Sequence, residues 1–135
     1  MTVIELSRHT GATPDAIRYY ARLGLLKQTR NTANNYMQFS QEDVNCVRFI
    51  RRAQRLGFSL AEIASIIETS RKNGSPCQMV RETLGLRIQE NGRALSELIA
   101  LQNRMEKAIA QWQQMPDGAL GQQVLCSLIE SMEDI

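Results

Sequence analysis

Gly11-Ala12-Thr13-Pro14-Asp15-Ala16-Ile17-Arg18-Tyr19-Tyr20 is the stretch on which the fold turns. A glycine suited to closing one helix is followed at once by residues that open another. Thr13 stands as N-cap, Pro14 at the first helical position, and Asp15 complements the dipole. Upstream, Thr2-Val3-Ile4-Glu5-Leu6 reads as a short helix with apolar Ile4 and Leu6, closing at Thr10-Gly11. Downstream, the helix opened by Thr13 runs through Arg22 and ends at Gly24. Two short helices separated by about three residues that include a glycine make a helix-turn-helix.

Outward from this pair, the segment between Lys27 and Phe39 carries Asn34-Asn35 between two short runs, a hairpin turn and hence a wing. Ser40-Gln41-Glu42-Asp43 is a capping box launching a third helix, with Val44, Val47, Phe49, Ile50, Ala53 and Leu56 at mostly helical spacing up to Gly57. Cys46 within it is expected in the core. Phe58-Ser59-Leu60-Ala61-Glu62 caps a fourth helix, in which Leu60, Ile63, Ile66 and Ile67 are expected to be buried. It fades by Gly74.

From Ser75-Pro76 to Pro116 nothing stronger than Gly85 and Gly92 interrupts a helical pattern, which predicts one helix of about 40 residues. Apolar positions recur in alternating threes and fours: Cys77, Val80, Leu84, Ile88, Leu95, Leu98, Met105, Ile109 and Trp112, with polar Asn91 and Gln102 on the same stripe. That is a coiled-coil seam. A helix about 60 Å long outruns a domain of this size, so a second copy of the chain is its expected partner. After Pro116 the chain loosens, and Val124 to Met132 predicts a last short helix with Cys126 at its start. The domains expected are residues 1–72, a winged helix-turn-helix; 75–115, the dimerisation helix; and 116–135, an effector-sensing loop and short helix.

The net charge of the 135 residues is only +2, but its distribution is uneven. Arg8, Arg18, Arg22, Lys27, Arg30, Arg48, Arg51, Arg52 and Arg55 face only Glu5, Asp15, Glu42 and Asp43 in the first 56 residues, an excess of about five positive charges. Such an excess suits a phosphate-facing surface or, alternatively, a solvated face. No apolar run reaches the ~20 residues of a membrane span and no signal peptide follows Met1, so a cytoplasmic protein without membrane contact is expected. The three cysteines, Cys46, Cys77 and Cys126, are odd in number and widely spaced, which does not suit a disulfide framework. Nothing supports an enzyme: there is no nucleophile paired with a base, no phosphate-binding glycine loop and a single histidine.

Ile4-Glu5-Leu6, Gly11-Ala12-Thr13, Asp15-Ala16-Ile17-Arg18-Tyr19-Tyr20, Gly24-Leu25-Leu26, Phe39-Ser40, Asp43-Val44 and Arg55 to Ile63 together resemble the MerR family of bacterial regulators, over roughly Met1 to Ile67. The resemblance implies an all-α fold with a small β wing: a winged helix-turn-helix followed by a long antiparallel coiled-coil dimerisation helix. It implies a homodimer on double-stranded promoter DNA, which it bends and untwists so that RNA polymerase can engage. The helix starting at Thr13 would enter the major groove, with Thr13, Pro14, Asp15 and Arg18 as candidate contacts. Arg18 suits a base or a phosphate. Of the two tyrosines, Tyr19 is the candidate for a phosphate contact and Tyr20 for the core. Tyr36 matches the family's phosphate-contacting wing tyrosine, whereas Met37 stands where the family usually has arginine.

The same resemblance bears on an effector. Cys77 and Cys126 match the first and last cysteines of the branch that responds to divalent soft metals, so a thiolate site for mercury, lead, cadmium or zinc is expected at the dimer interface. The middle cysteine of that branch is missing from the region around Gln111 to Asp117. Two thiolates suffice for linear mercury, and zinc would need further ligands such as Asp117 or water. Two alternatives stay open: a thiol redox sensor pairing Cys77 with Cys126, and cysteines that merely pack in a dimer core.

Overall fold

The computed structural model describes residues 1–72, 74–118 and 125–132. Residues 1–80 and 81–135 form two compact units. In the first, α1 (Val3–Thr10) starts at Thr2, whose hydroxyl accepts from Glu5 N–H, and stops at Gly11, left-handed at φ 78°. That conformation suits glycine because no Cβ collides with the preceding turn. Two residues later Thr13 accepts from Ala16 N–H at 3.1 Å and opens α2 (Pro14–Arg22). The helix-turn-helix therefore forms where its caps place it.

The wing is a two-stranded antiparallel ribbon of β1 (Thr29–Arg30) and β2 (Met37–Gln38), with Thr29 opposite Gln38 and Arg30 opposite Met37. Asn35 takes a left-handed φ of 59°, which asparagine tolerates better than most side chains. Thus the Asn34-Asn35 turn lies where expected. Asn31 N–H donates to Tyr36 O and Asn35 N–H to Asn31 O, closing the turn.

Two further helices, α3 (Gln41–Arg55) and α4 (Leu60–Arg71), complete the unit. One apolar set fills its centre: Leu6 and Ile17 from the first pair, Val44, Val47 and Ile50 from α3, and Ile63 from α4. Two expectations need correcting. Leu60 is half-buried, because it is the first residue of α4 and projects past the core that Ile63, Ile66 and Ile67 fill. Cys46 is likewise only half-buried, on the edge of α3, with its thiol 3.4 Å from the Leu25 carbonyl.

Asp43 is the buried charged residue of this core. Its carboxylate accepts from Ser40 N–H at 3.1 Å and from Lys27 N–H at 2.7 Å, so one side chain caps α3 and anchors the entry to the wing. Replacing Asp43 with alanine removes two hydrogen bonds to a carboxylate and should cost about 3 kcal/mol, at roughly 1.5–3 kcal/mol per bond to a charged group. Urea unfolding measures it. An unchanged midpoint would contradict this role.

α5 (Cys77–Trp112) is a single helix of 36 residues, slightly shorter than the expected 40. It has no fully buried residue. Its apolar stripe lies open in the single chain, with Ile88 65%, Leu95 59%, Leu98 61% and Met105 56% exposed. Ile99 and Leu101 flank the expected seam, whereas Leu86 is exposed on the opposite face. The last helix, α6 (Ser127–Glu130), is shorter than the expected 124–132; Val124 lies outside the described residues, as do 119–123 and 133–135 of the expected C-terminal segment. Ile129 and Met132 stand with Met105, Ile109 and Trp112 around an apolar groove of about 660 Å³.

Candidate nucleic-acid interface

α2 presents a polar face from its first turn. Thr13 is the N-cap, Pro14 the first helical residue, and Asp15 projects into solvent with its side chain 96% exposed. Arg18 Nη1 lies 3.0 Å from Asp15 Oδ1 one turn earlier. This solvent-facing pair is weak in itself. The pair lays the guanidinium back along the helix face toward Asp15. Tyr19 is exposed, with the Arg22 guanidinium 5.7 Å from its ring centroid, a cation–π distance. Tyr20 points the other way, 5% exposed, its hydroxyl 3.4 Å from Gln54 Oε1. The two adjacent tyrosines thus divide between surface and core.

On the wing, Tyr36 is 70% exposed, and its backbone is fixed by Asn34 Oδ1, which accepts from its N–H at 3.1 Å. Met37 beside it is half-buried. Arg30, one of the excess cations of the N-terminal half, stands directly across the ribbon from Met37 and donates to the Asn35 carbonyl at 2.9 Å. A cation therefore remains on the wing despite Met37. The signal that finds it is register, which strands of two residues do not reveal by alternation.

The cysteines fall in separate places. Cys77 is exposed at the first residue of α5, its N–H 3.5 Å from Ser75 Oγ; Cys126 is exposed at the N-cap of α6. Cys46 lies in the first unit beside Lys27 and Arg71, and burial pushes its thiol pKa up, with Arg71 partly opposing. Among the described residues of one chain, no three His, Cys, Asp or Glu side chains gather as a metal cluster.

Comparison with known proteins places this arrangement. A profile described as MerR HTH family regulatory protein matches residues 1–70, and one described as MerR, DNA binding matches residues 44–112. The chain belongs to the MerR family. MerR proteins are DNA-binding transcription regulators and not enzymes, so this chain is one too. Among its MerR relatives is the mercuric resistance operon regulatory protein of Bacillus cereus, 33% identical over 94 residues, or 70% of this chain and 71% of that protein. The fold matches a Ralstonia metallidurans transcription regulator crystallised with lead(II), at TM-score 0.74 and 21% identity over 97% of this chain and 98% of that one. It also matches EcmrR, captured with DNA in its open complex with RNA polymerase, at TM-score 0.69 and 21% identity, over 89% of this chain and 43% of EcmrR. The helix-turn-helix, wing and long helix are thus the MerR arrangement, and no helix among the described residues is long and apolar enough to cross a membrane.

The wing carries its own expectation. Met37→Arg adds a guanidinium next to Arg30 and so costs a few tenths of a kcal/mol of like-charge repulsion in the free protein. Bound phosphate would relieve it. Affinity should rise severalfold across operator sequences, with a salt slope steeper by about 0.9 per chain. Fluorescence anisotropy at several salt concentrations tests it, and unchanged affinity at all of them would contradict a phosphate-facing wing.

Proposed function

We propose that the chain is a cytoplasmic homodimeric regulator that reads promoter DNA with α2 and the wing and responds to a divalent soft metal ion. Thr13, Pro14, Asp15 and Arg18 face the bases of the major groove, while Tyr19 and Tyr36 contact flanking phosphates. Paired α5 helices join the two protomers, and RNA polymerase is the protein that profits from the altered promoter. EcmrR, seen with DNA and polymerase, offers a precedent in fold for that partnership.

The observation that carries the sensor reading is the pair of exposed thiols, Cys77 and Cys126, each at the start of a helix. In an antiparallel dimer the Cys77 thiolate of one protomer and the partner's Cys126 supply two soft donors. Such a set fits two-coordinate mercury without addition, whereas zinc needs two more ligands, with Asp117 and water as candidates. That the Bacillus cereus relative regulates mercuric resistance supports the same chemistry. Titrating mercury(II) into the reduced protein should give thiolate-to-metal charge-transfer absorbance that saturates at one ion per chain. With a small competing thiol present to remove singly held mercury, the signal should persist in wild type and be lost in Cys77→Ser and in Cys126→Ser alike. Equal binding by wild type and both variants would overturn the metal site, and a disulfide between the two cysteines under mild oxidant without any metal uptake would favour the redox reading.

A further inference from the structure

The stripe along α5 reads the same in both directions. Between Leu84 and Ile109 its successive positions are 4, 3, 4, 3, 4, 3 and 4 residues apart, a palindrome centred between Leu95 and Leu98. The chemistry is palindromic as well: two apolar residues, an amide, two leucines, an amide, two apolar residues. Leu84 is half-buried in the single chain and the other seven positions are exposed. A second copy laid antiparallel about that centre sets each position against one of its own kind. Leu84 meets the partner's Ile109, Ile88 the partner's Met105 and Leu95 the partner's Leu98. Asn91 meets the partner's Gln102. Gln102 Nε2 donates to Glu106 Oε1 at 2.9 Å within its own helix, which leaves the side-chain carbonyl to accept from a facing amide.

Other alignments break the match. A slip of one heptad either way keeps the spacing but sets Asn91 against the partner's Leu95 or the partner's Ile109, stranding an amide among aliphatic side chains. The apolar groove around Met105, Ile109 and Trp112 separates the alignments a second time. The pair centred between Leu95 and Leu98 feeds it the partner's Leu84 and the partner's Ile88. One slip feeds it the partner's Arg81 instead, and the other the partner's Asn91. End-to-end overlap lies two residues away per helix and sets Asn91 against the partner's Leu98, although Leu95 and Leu98 stay central there too. The shoulders of the seam agree with the palindrome. Ile99, which is exposed, falls beside the partner's Gly92, a position with open space where a Cβ would stand. Leu101 falls beside the partner's Ala94, so large meets small on both sides.

We infer that Asn91 and the partner's Gln102 form a reciprocal amide lock, made twice per dimer, which holds the antiparallel α5 pair in the one register centred between Leu95 and Leu98. The inference rests on the homodimer reading and specifies the surface by which a second copy is recognised. Polar pairs inside an apolar seam lower stability a little and exclude the slipped alignments that would leave them unpaired. Register matters to DNA reading because the DNA-binding units hang from the N-terminal ends of the two helices. Sliding by one heptad changes the separation of those ends by about 10 Å, the rise of about three base pairs.

Two measurements on the full chain test the lock. In the first, a nitroxide is attached at Lys107→Cys, an exposed position, in a chain that also carries Cys46→Ser, Cys77→Ser and Cys126→Ser. Pulsed electron paramagnetic resonance then reads the distance between the two labels. The locked register separates them by about 32 Å along the axis, whereas the slipped registers give about 21 or 42 Å and end-to-end overlap about 38 Å. A single population at the first value is expected. In the second, Asn91→Glu and Gln102→Lys should each raise the dimer dissociation constant about a hundredfold, because each variant buries an unpaired charge twice per dimer. Combined in one chain, they should restore it to within about tenfold of wild type. The two positions are about 16 Å apart on one helix, so the rescue reports only contact between chains. A distance at a slipped or end-to-end value, several distances at once, or losses that multiply in the double variant would overturn the lock. Wild type that sediments as a monomer would be a different failure, that of the homodimer reading itself.

Discussion

Leu95→Glu/Leu98→Glu should leave the protein monomeric at micromolar concentration and lower its operator affinity by at least about a hundredfold. The two leucines lie near the middle of α5, and both are more than half exposed in the single chain. Full burial of each would contribute about 1.5–3 kcal/mol per chain. In an antiparallel pair of fully overlapping helices the midpoint falls between Ala94 and Leu95, so the new carboxylates of both chains meet there. Lost burial and like-charge repulsion then act together. A lone protomer contacts one half-site, which moves binding from the roughly 10⁻⁸–10⁻¹¹ M range of specific complexes toward the 10⁻⁴–10⁻⁶ M of non-specific ones. Sedimentation velocity reads the mass and anisotropy the affinity. A variant that stays dimeric would remove α5 as the joint.

Cys77→Ser should abolish metal-dependent transcription while changing operator binding by less than about twofold. A serine hydroxyl keeps its proton at neutral pH and is a hard oxygen donor, poorly matched to a soft cation that prefers thiolate. The DNA-contacting candidates lie on α2 and the wing, and the substitution touches neither. Run-off transcription with purified polymerase, with and without mercury(II), separates the two effects. Retained induction in the variant would exclude Cys77 as a ligand.

Where the sequence was a sufficient guide, the determining interactions were local. The cap at Thr13, the stop at Gly11 and the left-handed Asn35 each act within a few residues, and each stands where the sequence places it. The length of α5 followed from an uninterrupted pattern, for the same reason. What escaped notice depends on distant segments meeting. Asp43 reads as a capping residue, yet half of its function is the bond to Lys27 N–H, sixteen positions away. Arg30 is a single cation in a loop until the ribbon sets it opposite Met37. Arg48 and Arg51 look like members of a solvated face until α1 ends against them. Leu60 and Cys46 carry core-like side chains, but Leu60 is the first residue of α4 and Cys46 sits at the edge of the buried face of α3. The exposed stripe of α5 is the converse case: periodicity called for a partner that a single chain does not contain.

Native mass spectrometry of an operator duplex selected from a random pool, with reduced protein and mercury(II), addresses dimer, DNA and metal at once. The expected species holds two chains, one duplex and two mercury ions that survive an excess of a small competing thiol, whereas the same competitor strips the ions from Cys77→Ser. One chain per duplex, or the same mercury content in the variant, would contradict the account.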